Sequence, residues 1–236
     1  MPGIFTNPLG LFGPLKPNLT FFKEFEGAVS PERGSEGAAG IDFFIPKPAS
    51  TDDKCFEFMR NKCLEAVKDN ADETWVINIR FDEYKIAQNV EAVFWSAIRQ
   101  YNKTIFKHDF KNPMPSSNPD GIDLYPGESI TIPTGISASI PHGFCLQFLN
   151  KSGIATKNDL IVGAELVDED YKGIMHINLH NVGNSTRTLK CGQKIVQGVM
   201  HMTYWDLLNV TVVNGHINET SERGEGGFGS TGTEAK

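Results

Sequence analysis

The chain is 236 residues long, enough for one large domain or two small ones, and 39% of its residues are hydrophobic, which is material for a substantial core. A formal net charge of -7 and a pI near 5.4 exclude the broad basic field that holds polyanionic polymers, so generic DNA or RNA binding is not expected, while a single nucleotide can still find a local basic pocket. The cysteines Cys55, Cys63, Cys145 and Cys191 form no CxxC pair, which argues against a disulfide framework or a zinc site and for reduced thiols in a cytosol-like compartment.

Residues 1 to about 20 read as an extended arm rich in Pro and Gly. They have no basic start followed by an apolar run, so neither a secretory signal nor a membrane span is expected. Residues 21 to 46 read as strand, turn and strand, with Phe43, Phe44 and Ile45 closing an apolar run before Pro46. The character changes over 47–120. Ser50 or Thr51 is placed to cap a helix on which Phe56, Met59, Cys63 and Val67 share a face. Trp75, Ile77, Ile79 and Phe81 then alternate with Thr74, Val76, Asn78 and Arg80, the period of a half-buried strand. Asp82 is placed to cap a further helix with Ala87, Val90, Phe94, Ala97, Ile98 and Tyr101 on one face. A Pro- and Ser-rich stretch from Asn112 to Gly121 closes this α-β-α unit, which has the look of an inserted subdomain.

From 121 to about 213, short apolar runs are punctuated by Pro126-Gly127, Pro133-Thr134-Gly135, Pro141-His142-Gly143, Lys172-Gly173, Gly183-Asn184 and Cys191-Gly192. This spacing predicts a mainly β fold, a β-barrel or jelly roll. The tail, Arg223 to Gly232, matches GxGxxG through Gly224, Gly226 and Gly229, and most of a P-loop. A dinucleotide fingerprint needs a strand before it and a helix after it, and a P-loop needs lysine where Ser230 stands, so neither applies. Two readings stand: a loose end, and a flap that orders on a ligand through its guanidinium, its aromatic ring, its hydroxyls and its close-approaching backbone. The acids of Gly163–Gly173 (Glu165, Asp168, Glu169 and Asp170) likewise read either as a solvated turn or as the source of a water-activating carboxylate, with Lys151, Ser152 and Gly153 upstream able to face phosphates.

Five segments, in order, resemble the motifs of the trimeric dUTP pyrophosphatases (dUTPases): Ala39-Gly40-Ile41-Asp42; Lys151-Ser152-Gly153-Ile154-Ala155; Gly163 through Gly173; Gly192-Gln193-Lys194-Ile195-Val196-Gln197; and Arg223 through Gly232. The resemblance covers about residues 21–46 and 121–232. It implies a dUTPase-like β-barrel from 21–46 and 121–221, interrupted by the insertion at 47–120 and followed by a flexible flap at 222–236. It also implies hydrolysis of dUTP to dUMP and pyrophosphate, dependence on magnesium, and a homotrimer whose sites are shared between subunits. Asp168 would activate the water that attacks the α-phosphorus. Tyr171 would pack under the deoxyribose, and backbone groups between Gly163 and Gly173 would read uracil, with Phe228 stacked on the base. Ser152, Gly153 and Gln197 would hold phosphate oxygens, with Lys151 beside them as a point charge, and Arg223, Ser230 and Thr231 would hold the γ-phosphate end, Gly227 and Gly229 also counting among the substrate-binding residues. Asp42 would meet magnesium only through water.

This sequence departs from the family at Lys151, commonly arginine; at Gln193 and Lys194, usually an Asp-Arg pair whose ion pair would be lost; and at Glu165, often glycine. Two alternatives accompany the hydrolase reading. One is a nucleotide-dependent regulator that binds a protein partner through the insertion. The other is a dCTP deaminase-like enzyme, disfavoured because Ile174-Met175-His176-Ile177-Asn178-Leu179 lacks the glutamate such enzymes use. His108, His142, His176, His180, His201 and His216 show no metal-ligand spacing. The cytoplasm, or a host's cytoplasm for a viral protein, is the expected location.

Overall fold

Alternation of apolar and polar residues along short segments is what builds the barrel. In the computed structural model, which describes residues 17–111, 121–205 and 208–214, the strands are β1 (Thr20–Lys23), β2 (Glu32–Arg33), β3 (Ile41–Phe44), β4 (Gly121–Leu124), β5 (Ser129–Pro133), β6 (Ile136–Ser139), β7 (Phe144–Asn150), β8 (Leu160–Val162), β9 (Leu166–Val167), β10 (His176–Asn181), β11 (Arg187–Lys190) and β12 (Lys194–Met202). On β10, Ile177, Leu179 and Asn181 point inward while His176, Asn178 and His180 sit half-buried between them, as a period of two requires. All pairings are antiparallel. The largest sheet runs β2-β3-β12-β7-β9, a second runs β5-β10-β8, and β1-β6 and β11-β4 form two-stranded ladders. Phe43, Phe148, Leu146, Ile130, Ile132, Ile177, Leu179, Ile195 and Val196 fill the interior, with Phe43 and Phe148 edge to face at 5.0 Å. This is the mainly β architecture expected from the turn spacing.

Among the described residues between β3 and β4 the regular elements are helices, α1 (Lys54–Ala66), α2 (Ala71–Lys85) and α3 (Val90–Phe106). The expected α1 face is buried, with Phe56, Met59, Cys63 and Val67 all in the core, but Asp53 caps it in place of Ser50 or Thr51 by accepting from the Cys55 N–H at 2.9 Å.

The strand expected at Trp75–Phe81 is not there, because those residues lie on α2. Of the alternating set only Ile77 and Phe81, four apart, are buried, at 2% and 3% exposure, while Trp75 is 66% exposed. A reciprocal cap decides the matter: Asn70 Oδ1 accepts from the Glu73 N–H at 3.1 Å while Asn70 Nδ2 donates to Glu73 Oε1 at 3.1 Å. The helix therefore starts before the alternating stretch begins, and Glu83 and Lys85 continue it. Asp82 accordingly lies inside α2, and Asn89 caps α3 by accepting from Ala92 N–H at 3.0 Å. Phe94, Ala97, Ile98 and Tyr101 are buried on α3 as expected.

The helices share the barrel's core. Phe58 of α1 packs on Phe25, ring centroids 5.5 Å apart, and Tyr101 of α3 stacks on His176 of β10. The described residues up to Thr203 belong to one compact unit and those from Tyr204 to a second. A further short helix, α4 (Ser152–Asn158), follows β7. No helix among the described residues is long and apolar enough to cross a membrane.

Candidate functional site

Register brings three of the motif segments side by side. Asp42 on β3 faces Gln197 on β12, and Gln197 in turn faces Leu149, two residues before Lys151 on β7. Lys151 Nζ donates to Asp42 Oδ1, and Lys194 Nζ lies 3.4 Å from Asp42 Oδ2 and 2.7 Å from Glu32 Oε1. Burial pushes the Asp42 carboxyl up, but the Lys151 ammonium outweighs it with help from Lys194, and the group ends below its usual range. The lost ion pair expected at Gln193-Lys194 is thus replaced, since Lys194 bridges two carboxylates of β2 and β3. Gln193 instead accepts from the Lys190 N–H at 3.1 Å. Gln197 Nε2 donates to the Asn150 carbonyl at 3.0 Å, tying β12 to the end of β7 just before α4. Ser152 and Gly153 open α4 and are exposed, where a helix start leaves N–H groups without intrahelical acceptors.

The acidic segment runs back along β7. Val162 N–H donates to Asn150 Oδ1 at 2.8 Å, and Gly163 N–H to the Asn178 carbonyl at 3.0 Å. Gly163 is pressed so closely on Asn178 and His180 that a Cβ has no room. β9 pairs with β7 through Leu146 and Val167, which sets Asp168 beside Cys145 at the far end of that strand, where burial and the Asp168 charge both raise the thiol pKa. The turn closes with Tyr171 N–H on the Asp168 carbonyl at 3.2 Å. The Tyr171 ring, 43% exposed, is anchored by its hydroxyl, which donates to the Ile174 carbonyl at 2.8 Å. It lies over Gly173, where a Cβ would stand 2.7 Å from Oη.

The acids of this segment differ in their commitments. Glu169 accepts from His142 Nδ1 at 2.8 Å and from the Gly143 N–H at 2.5 Å. The His142 hydrogen bond foremost, then the Gly143 N–H, hold its carboxyl below the usual range. Glu165 accepts from Gln147 Nε2 at 2.9 Å. Among the described residues, neither Asp168 nor Asp170 makes a side-chain hydrogen bond or ion pair; of the two, Asp168 directly follows β9 and stands beside Cys145, with its carboxylate available to a water. Residue types alone leave these acids alike, and the family resemblance is what singles out Asp168.

The structure therefore brings Asp42, Lys151 and Gln197 together at one end of β7 and sets Asp168 and Tyr171 at the other. From Cys145 to Asn150 the strand spans about 17 Å at ~3.3 Å per residue. Arg223, Gly227, Phe228, Gly229, Ser230 and Thr231 lie outside the described residues. No group of three or more His, Cys, Asp or Glu side chains converges on a cation site among the described residues, and Asp42 is already engaged by two ammonium groups. The donor set does not fit a magnesium ion held directly by the protein.

The family model described as dUTPase matches residues 117–232. The deoxyuridine 5'-triphosphate nucleotidohydrolase of Tolumonas auensis is 38% identical over 117 residues, covering 46% of this chain and 72% of that protein. Its counterpart from Yarrowia lipolytica is 37% identical over 120 residues, covering 48% and 75%. The solved structure of the Staphylococcus bacteriophage 80alpha dUTPase with dUpNHpp matches with a TM-score of 0.54 at 18% identity, covering 92% of this chain and 99% of that one. With the four described motif segments on or beside adjoining strands of a jelly-roll barrel and relatives matched over most of their own length, the chain belongs to the dUTPase family.

Proposed function

We infer that the protein hydrolyses dUTP to dUMP and pyrophosphate, with Asp168 as the base. The Asp168 carboxylate would take a proton from a water as its oxygen bonds to the α-phosphorus, and the bond from that phosphorus to the bridging oxygen of the leaving pyrophosphate breaks. The observation that carries this reading is the contrast among the acids of one turn. Glu165 and Glu169 are tied to neighbours, whereas Asp168 and Asp170 are exposed and uncommitted, and of these Asp168 is the one fixed at the end of β9, its backbone carbonyl accepting from the Tyr171 N–H. Phosphoryl chemistry asks a protein mainly for positioning and charge stabilisation, which fits one base surrounded by many donors.

The remaining roles follow the same logic. Tyr171 would lie under the deoxyribose and exclude a 2′-hydroxyl, while backbone groups from Gly163 to Gly173 would read uracil. Lys151, Ser152, Gly153 and Gln197 would face phosphate oxygens, and Arg223, Gly227, Phe228, Gly229, Ser230 and Thr231 would close over base and γ-phosphate. Magnesium dependence is general in the dUTPase family. Here the triphosphate would carry the ion, and Asp42 would meet it only through water.

Separation of Asp42, Lys151 and Gln197 from Asp168 along β7 supports sites built from more than one subunit, as in the homotrimer that the family resemblance implies. Leu208, Val210, Val212 and Val213, all exposed in the single chain, are an apolar run of the sort that a second subunit covers. The deaminase alternative gains nothing from β10, whose residues His176–Asn181 include no carboxylate.

The test is pyrophosphate release from a panel of dUTP, dTTP, dCTP and UTP, with and without magnesium. Much faster release from dUTP than from the others is expected; equal rates on all four reject the reading, and ammonia release from dCTP would revive the deaminase.

A further inference from the structure

Two hydrogen bonds, anchored two residues apart in the chain, lie between the helical segment and the turn that bears Tyr171. Tyr101 Oη on α3 lies 2.9 Å from His176 Nε2 on β10, and the two rings stack at 9° with centroids 6.0 Å apart. Phe58 of α1 covers both rings, at 6.3 Å and 6.2 Å. Ile174, two residues before His176, accepts from Tyr171 Oη at 2.8 Å through its carbonyl.

Burial lowers the His176 pKa to about 4, which keeps the ring neutral at ordinary pH, with one ring nitrogen a donor and the other an acceptor; the Tyr101 hydroxyl complements Nε2 in either tautomer. Tyr171 Oη donates to the Ile174 carbonyl, which only accepts. Tyr101 is buried while Tyr171 is half in solvent, so the two contacts lead from the core out to the proposed sugar wall.

We infer that Tyr101 and His176 are positioning residues for Tyr171, through which the helical segment sets the preference for deoxyribose over ribose. This rests on the reading that Tyr171 lies against the sugar. Rejecting a substrate that differs by one added hydroxyl is difficult for a yielding pocket, because a wall that shifts by an ångström admits the extra oxygen. A tyrosine whose hydroxyl is held by a carbonyl only two residues from a ring packed between Tyr101 and Phe58 has little room to shift.

The experiment compares kcat and KM for dUTP and UTP in full-length wild type and in variants. Tyr101→Phe removes one hydroxyl and keeps the ring. Tyr101→Phe/His176→Leu removes both polar partners at once, avoiding an unpaired buried acceptor and so preserving the fold. Both should lower the ratio of kcat/KM for dUTP to that for UTP by roughly tenfold, the worth of one buried hydrogen bond, with the change carried by KM for UTP. Tyr171→Phe should lower the ratio at least as far, and adding Tyr101→Phe to it should cause little further loss, since both act by holding the same turn.

A ratio that stays at the wild-type value in both Tyr101 variants, while Tyr171→Phe lowers it, overturns the positioning role. A ratio unmoved by Tyr171→Ala overturns the sugar-wall reading itself, and this inference with it.

Discussion

Asn102 and Thr131 exchange two hydrogen bonds of 2.8 Å, the side-chain amide of the one meeting the backbone N–H and carbonyl of the other. The second amide proton of Asn102 goes to the Ile98 carbonyl at 2.9 Å, so every donor of that side chain is satisfied. Thr131 lies on β5, the edge of its sheet, whose other flank pairs with β10. A helix side chain here takes the place of a missing strand and seals an edge that would otherwise expose unpaired backbone groups. Asn102→Ala leaves two buried backbone groups without partners, so it should cost about 3 kcal/mol at ~1–3 kcal/mol per group, lowering Tm by roughly 5–10 °C. Thermal denaturation checks this, and a Tm within about 2 °C of wild type would show that α3 is held by packing alone.

His176 makes stability depend on pH in a defined window. Its pKa is lowered to about 4, by burial first, against a reference value of 6.5. Between those values the unfolded chain binds a proton that the folded chain refuses. The contribution of the neutral ring is therefore complete above about pH 6.5 and disappears as pH falls to about 4, a loss of about 3 kcal/mol. Tm measured across this range should fall more steeply for wild type than for Tyr101→Phe/His176→Leu. Parallel curves would mean that His176 is not the linked group.

How much could be read without coordinates differs between barrel and helices. The motif segments were legible because their chemistry demands particular residue types in a fixed order, and the barrel because turn residues recur at strand spacing. Trp75 to Phe81 misled because two periods compete there, and the reciprocal cap of Asn70 and Glu73 outweighed an alternation whose Trp75 and Ile79 need no burial. Tertiary pairings were illegible in principle. Nothing local to Asn102 announces Thr131, and nothing local to Lys194 announces Glu32 and Asp42, because register alone brings them together.

The C-terminal segment carries the guanidinium, ring and hydroxyls assigned to closing over the nucleotide. Ending the chain after Glu222 removes Arg223, Phe228, Ser230 and Thr231 together. If they supply several charge-assisted contacts, kcat/KM for dUTP should fall by at least about 10²-fold. A truncated protein that turns over dUTP at the wild-type rate would remove these residues from the site.

Asp168 and Glu169 are adjacent in sequence and opposite in circumstance, which separates a base from an anchor. Asp168 has no hydrogen-bond or ion-pair partner among the described residues, so Asp168→Asn should leave Tm where it is. It should leave KM near wild type and lower kcat by about 10²–10⁴-fold, the usual worth of a positioned base. Glu169 is bound to His142 and Gly143 on the neighbouring turn. Glu169→Gln keeps an acceptor for the Gly143 N–H and gives up only the charge toward an exposed imidazole, so most of the turnover should survive. Steady-state kinetics on the two variants decide the matter, since a Glu169→Gln enzyme as impaired in kcat as Asp168→Asn would mean that the unpartnered acid at the end of β9 is not the one that takes the proton.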